Sequence, residues 1–123
     1  IDSPRILVAG LNPHASEGGL FGSEERDIIE PAIALKKLEG INVEGPIAAD
    51  LLLHEEGYDA FIVMLHDQGH IPAKLLGKHR TAGLSIGSPI LFSSVAHGSA
   101  LDIAGKGIAE PTAVVEAIRR LVG

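Results

Sequence analysis

Three strand-like segments in this chain, the first two of them apolar runs, each pass into a loop dense in glycine and polar residues. Arg5-Ile6-Leu7-Val8-Ala9 meets Gly10, Tyr58 to Leu65 meets His66-Asp67-Gln68-Gly69-His70, and Pro89 to Val95 meets His97 to Gly107. A short, uninterrupted apolar run suits a strand buried on both faces of a sheet. Between the first two runs, Ile28, Ile29, Ala32, Ile33, Leu35 and Leu38 follow helical spacing. Strands alternating with helices predict an α/β sheet. Ligands of such sheets bind beyond the C-terminal ends of the strands, so the three loops are where function is expected.

The punctuation fixes the remaining elements. Ser23 is placed to cap a helix with Glu24 and Glu25 in its first turn, and Gly40 to close it. Pro31 inside that pattern predicts a kink or a later true start. Gly45-Pro46 reads as a turn, and Ala48 to Glu55 as a short helix. Tyr58 to Leu65 is the strongest strand, Ile71 to Leu76 a helical turn or two, and Ala82 to Ile86 and Pro89 to Val95 weaker strands. Glu110-Pro111 opens a helix to Leu121, with Val114, Val115, Ile118 and Leu121 on its apolar stripe.

Composition removes several classes of function. The 123 residues suit one domain, and 46% hydrophobic residues are ample for a core. Ten Lys and Arg against 16 Asp and Glu give a formal charge of -6, which argues against a nucleic-acid-coating surface. With no cysteine, disulfides and Cys-ligated zinc or iron–sulfur centres are excluded, and a reducing cytosol is compatible. No apolar run approaches the ~20 residues of a membrane span. The chain opens at Ile1 with no signal-like segment before its first strand, and reads as a piece of something longer.

The loops carry the chemistry. His14, in Gly10 to Gly19, suits a metal ligand or a general base near neutral pH; a solvated loop histidine is the plainer alternative. His66 and Asp67 are donors of the kind that strand ends deliver to metals. His66 and His70 are four apart and would share a helical face, but Gly69 weakens a two-histidine helical motif. A polar strand terminus, with Asp67 capping the next helix, explains the same residues. In His97 to Gly107 the glycines allow close approach of backbone to a ligand, or simply make a turn. That loop has neither the dinucleotide fingerprint nor the P-loop spacing.

Taken in order, GLNPHASEGGLFGSEE, GPIAADLLL, HDQGHIPAK and HGSALDIAGKG resemble the C-terminal part of the 4-hydroxythreonine-4-phosphate dehydrogenase family of pyridoxal phosphate biosynthesis, over nearly all 123 residues. HGSALDIAGKGIAEP is also similar to the adenosine-binding loop of isocitrate and isopropylmalate dehydrogenases. The resemblance implies a three-layer α/β/α fold of that dehydrogenase type, of which residues 1–123 form a C-terminal fragment and a single α/β unit. It implies NAD- and divalent-metal-dependent oxidation and decarboxylation of 4-phosphohydroxy-L-threonine to 3-amino-2-oxopropyl phosphate. The metal would be zinc, magnesium or cobalt, and the enzyme a cytoplasmic homodimer with a shared active site and no nucleic-acid or membrane partner.

Members of the family bind the metal through three histidines. His14 matches the second and His66 the third, supplied across two subunits, while the first lies upstream of these residues. Lys74 matches a substrate-contacting lysine, and Asp50 and Asp67 match acidic positions beside the site. His97, Gly98, Ser99, Ala100 and Asp102 correspond to the loop that seats the adenosine half of NAD. Asp102 suits a ribose hydroxyl better than a 2′-phosphate, which favours NAD over NADP.

Two positions depart from the family. Gly83 stands where an asparagine touches substrate, and Phe92 where an arginine suits a phosphate. The metal and NAD expectations survive these changes, but the substrate is open to a phosphorylated sugar acid or an aromatic cis-dihydrodiol carboxylate. A non-catalytic binding or dimerisation piece is the second class, and a metal-assisted hydrolase or aldolase using His14, His66 and Asp67 the third. Neither hydrolase nor aldolase needs a dinucleotide loop.

Overall fold

The computed structural model describes residues 1–77, 81–95 and 97–122. The chain divides into two compact units, Ile1–Gly69 and His70–Gly123.

In the first unit β1 (Ile6–Ala9) is the central strand of a three-stranded sheet, flanked by β2 (Val43–Ile47) and β3 (Ala60–Ile62), all parallel. Successive side chains of a strand point to opposite faces, and β1 uses both. Val8 packs with Ile29, Ile33 and Val43 on one face. Leu7 and Ala9 pack with Leu52 on the other. Leu7, Val8 and Ala9 are all buried, as the apolar run predicts.

The helix after the first loop begins with a π-turn, Glu25–Ile29, and continues as α1 (Glu30–Leu38). Pro31 lies in the first turn of α1, directly after the π-turn, so the irregularity expected at this proline is a change of helix type within one continuous helix. Glu24 already has helical φ and ψ, and Asp27 N–H donates to Ser23 O at 2.8 Å as the first intrahelical bond, so Ser23 stands at the N-cap position as expected. The expected close at Gly40 holds. Gly40 N–H donates to Lys37 O at 3.0 Å and Ile41 N–H to Lys36 O at 3.0 Å, a Schellman pair around a glycine with φ +86°.

Three expectations need correction. Gly45-Pro46 is not a turn but lies inside β2, at the irregularity where pairing with β1 shifts between Leu7 and Ala9. A Cβ on Gly45 would sit 2.5 Å from Val8 O, so only glycine allows this approach, and proline is tolerated on an edge strand. Ala48 to Glu55 forms no α-helix, only the 3-10 turn Leu52–His54. The long buried strand over Tyr58 to Leu65 shrinks to Ala60–Ile62. As a sheet edge, its Phe61 and Ile62 remain 37% and 46% exposed.

The motif His66-Asp67-Gln68-Gly69-His70 is likewise not a loop but the first turn and a half of α2 (His66–Gly77). The boundary between the two units falls within α2. In the second unit β4 (Ala82–Ser85) and β5 (Phe92–Val95) pair antiparallel, with Gly83 opposite Ser94 and Ser85 opposite Phe92. α3 (Thr112–Val122) packs on this hairpin. Its buried residues are Ala113 and Ala117, one turn apart, and not the expected stripe; Val114, Val115, Ile118 and Leu121 stay 38–54% exposed.

Candidate active site

The first loop leaves β1 in a conformation that few sequences tolerate. From His14 to Gly18 the backbone has φ of +54°, +49°, +67°, +45° and +68°, one turn of left-handed helix. Each non-glycine residue held there costs about 1–2 kcal/mol, because Cβ crowds the following carbonyl. Such strain persists only where the surroundings over-determine it. The turn is closed by Phe21 N–H donating to Ser16 O at 3.1 Å, with Ser16 buried. The Phe21 ring lies 5.8 Å from the His14 imidazole.

The start of the loop is held by a carboxylate from the π-turn. Glu25 Oε1 accepts Leu11 N–H at 2.8 Å and Asn12 N–H at 2.7 Å, and Glu25 Oε2 accepts Asn12 Nδ2 at 2.8 Å. Asn12 Nδ2 also donates to Glu24 Oε2 at 2.7 Å. Burial pushes Glu25 toward the neutral form, but the hydrogen bonds from Asn12 and Leu11 outweigh it and hold the carboxyl below its ordinary range.

The second motif is tied to the same strand end. Gln68 Oε1 accepts Met64 N–H at 2.8 Å and Leu65 N–H at 2.9 Å, and Gln68 Nε2 donates to Gly10 O at 2.9 Å. His66 Nδ1 lies 2.7 Å from Asp67 Oδ1, both side chains largely exposed. Asp67 therefore pairs with His66 within the first helical turn of α2 and does not cap that helix from outside.

Leu11, Asn12, Pro13, His14, Ala49, Asp50 and Gln68 line one cavity of about 310 Å³. His14 and Asp50, far apart in sequence, thus share a single pocket beyond the C-terminal end of β1, where an α/β sheet binds ligands. His66 and Asp67 are not among its lining residues. Among the described residues no group of three or more His, Asp or Glu is close enough to hold a metal ion. The imidazole and carboxylate donors suit a divalent ion in kind. In number they are too few, among the described residues, to hold one by themselves. A second cavity of the same unit, about 240 Å³ against α1, is lined by aliphatic side chains and Lys36 and offers neither imidazole nor carboxylate.

In the second unit His97, Gly98, Ala100, Ile103, Ala109 and Glu110 line a cavity of about 300 Å³. His97 Nδ1 is 3.1 Å from Gly98 O, and Ala100 is left-handed with φ +47°. A Cβ on Gly98 would meet no atom within 4 Å, so the space over this backbone is open to a ligand. Ser99 and Asp102 belong to the same loop but not to the lining; Asp102 sits in the 3-10 turn Leu101–Ile103. Lys74 is exposed on α2, and Gly83 and Phe92 are exposed on the β4–β5 hairpin.

A sequence profile described as "Pyridoxal phosphate biosynthetic protein PdxA" matches residues 1–121. The chain belongs to the PdxA family. It is 51% identical over 122 residues to 4-hydroxythreonine-4-phosphate dehydrogenase of Roseobacter denitrificans, covering 97% of this chain and 37% of that protein. It is 48% identical over 121 residues to 1,2-dihydroxy-3,5-cyclohexadiene-1,4-dicarboxylate dehydrogenase of a Comamonas species, covering 98% of this chain and 38% of that protein. Among solved structures it is similar to 4-hydroxythreonine-4-phosphate dehydrogenase of Klebsiella pneumoniae. That match has TM-score 0.81 and 44% identity, and covers 98% of this chain and 37% of the other. The α/β fold of the PdxA dehydrogenases is therefore the fold of this chain, which spans little more than a third of its relatives' length.

Asn12, Glu25 and Gln68 were not singled out by the sequence as site residues. Glu25 reads there as an ordinary acid in a helix's first turn. Only the fold reveals that its carboxylate reaches back to the loop.

Proposed function

We propose that the protein carrying this PdxA-family chain is an NAD- and divalent-metal-dependent dehydrogenase. It oxidises the secondary hydroxyl of a hydroxy acid to a ketone, and the neighbouring carboxylate leaves as CO2. The observation that carries this reading is the cavity shared by His14 and Asp50 at the end of β1. His14 and His66 hold the metal, with the remaining ligand from outside this chain and the two histidines drawn from opposite subunits of a homodimer. When bound, the metal supplies Lewis-acid polarisation of the substrate hydroxyl. Asp67 would orient the His66 imidazole through Nδ1, and Asp50 would orient groups within the cavity. Lys74 meets the substrate's phosphate or carboxylate as a point charge.

His97, Gly98, Ser99, Ala100 and Asp102 receive the adenosine half of NAD, whose nicotinamide accepts the hydride. The open space over Gly98 supports this placement. The enzyme is read as cytoplasmic and acting on a small-molecule substrate. Among the described residues no helix is long and apolar enough to cross a membrane.

For the substrate, 4-phosphohydroxy-L-threonine, giving 3-amino-2-oxopropyl phosphate, is the leading reading. An aromatic cis-dihydrodiol carboxylate is the second, and a specific observation favours it. Phe92, 59% exposed, replaces a phosphate-binding arginine with a surface suited to a ring. NADH formation by the full-length protein with each acid in turn decides. Turnover of the phosphorylated amino acid supports the first and turnover of the dihydrodiol the second; no NADH from either rejects both substrates.

A further inference from the structure

Glu25 is 1% exposed, and what meets its carboxylate is three N–H groups of the first loop. Two of them, from Leu11 and Asn12, precede the left-handed turn that carries His14, with only Pro13 between. The contact extends further into that turn through Gly10, where a Cβ would lie 3.0 Å from both Ala15 Cα and Glu25 Oε1. Gly10, Ala15 and Glu25 are thus pressed together, and the loop folds around the carboxylate. Four consecutive non-glycine residues with positive φ have no local reason to adopt that conformation. An acceptor with two charged oxygens, placed where the loop starts, supplies one from outside. A neutral amide replaces it poorly: one of its two ends is a donor, which faces Asn12 Nδ2 unless the Asn12 amide turns over and gives up its bond to Glu24.

We propose that Glu25 is the positioning residue for His14: its buried carboxylate is the hydrogen-bond acceptor on which the loop folds left-handed, fixing the imidazole at the cavity. This rests on the reading of His14 as a metal ligand, and goes beyond it by assigning the device that presents the ligand. Glu25 acts through Leu11 and Asn12 and touches no substrate.

The test uses the full-length protein and two readouts. In metal-free protein, NMR scalar couplings report φ at residues 14–17, together with the His14 ring resonances. Titration with Zn²⁺ then gives the metal affinity. Glu25→Gln is expected to lose the positive-φ couplings and to weaken Zn²⁺ binding by about 10–100-fold, the usual effect of removing a group that orients a ligand. The polarity-inverted variant Asn12→Asp/Glu24→Gln/Glu25→Gln lets both glutamines donate to Asp at position 12 while the new amide oxygen at 25 keeps the two backbone N–H groups. It is expected to recover the couplings and most of the affinity. Unchanged couplings and affinity in Glu25→Gln overturn the proposal, and so does a triple variant that recovers neither. Should Glu25→Gln fail to fold, the triple variant decides alone by the same criteria. If wild-type protein binds no Zn²⁺ while the couplings respond as stated, the metal reading fails and the positioning of His14 stands.

Discussion

Gln68 Nε2 donates to the carbonyl of Gly10 at 2.9 Å, joining the first turn of α2 to the end of β1, 58 residues apart in sequence. Its oxygen meanwhile accepts Met64 N–H and Leu65 N–H, just before His66. One side chain thus ties the segment bearing His66 to the strand end from which the His14 loop departs. Replacing it by Leu strands three backbone groups, each costing about 1–3 kcal/mol where water cannot reach. The full-length Gln68→Leu protein should melt several degrees lower and bind metal more weakly. An unchanged melting temperature would show that these bonds are not structural.

Gly45 faces Val8 O with no room for a side chain, at φ +119°. Gly45→Ala is expected to destabilise the protein by about 1–3 kcal/mol, the usual cost of such strain. A neighbouring change on the exposed surface, Glu44→Ala, should cost less. Denaturant unfolding of the two variants makes the comparison, and equal stabilities would remove the close approach from the account of β2.

Acid should unfold the protein in a way that depends on Glu25. Its carboxyl lies below the ordinary value of 4.5 in the folded state, so it contributes stability above that pH. The contribution is lost as pH falls through the folded value. Asp27, lowered to about 2 by the Arg26 guanidinium and Ser23, adds to the same limb but is solvent-exposed and counts for less. Circular dichroism followed from pH 7 downward should show a shallower acid limb for Glu25→Gln than for wild type, starting from lower stability. Superimposable acid limbs would contradict this.

Gly98→Trp should raise the KM for NAD several-fold while the melting temperature and metal content stay unchanged. The added side chain enters the open space over the loop and meets none of the protein's own atoms near Cβ. An unaltered KM would place the dinucleotide elsewhere.

Much of the fold was legible in the sequence, for identifiable reasons. β1 is an unbroken apolar run, α1 has a proline where a helix may start and a glycine where it closes, and β4, β5 and α3 fall within a few residues of their predicted places. What was misread had a local signal that tertiary context overrode. Gly45-Pro46 carries turn chemistry, yet sits in an edge strand because glycine alone can pass Val8. Gly69 argued against a helix, but its side-chain position is filled by Val63, 3.0 Å from where a Cβ would lie, and Gln68 caps the turn from within. The α3 stripe was read from its large residues, while close packing on the hairpin selects Ala113 and Ala117. Of the candidate site, the loops were visible and the supports were not. Nothing local marks residues 14–17 as left-handed, or Glu25 as their partner.

NADH formation by the full-length protein before and after removal of divalent metal tests the central claim most directly. With a turned-over hydroxy acid and NAD, the rate should collapse on chelation and return when the metal is restored. His14→Ala and His66→Ala should stay inactive and retain less metal than wild type. A chelated enzyme that keeps its rate, or histidine variants with wild-type metal content and activity, would contradict it.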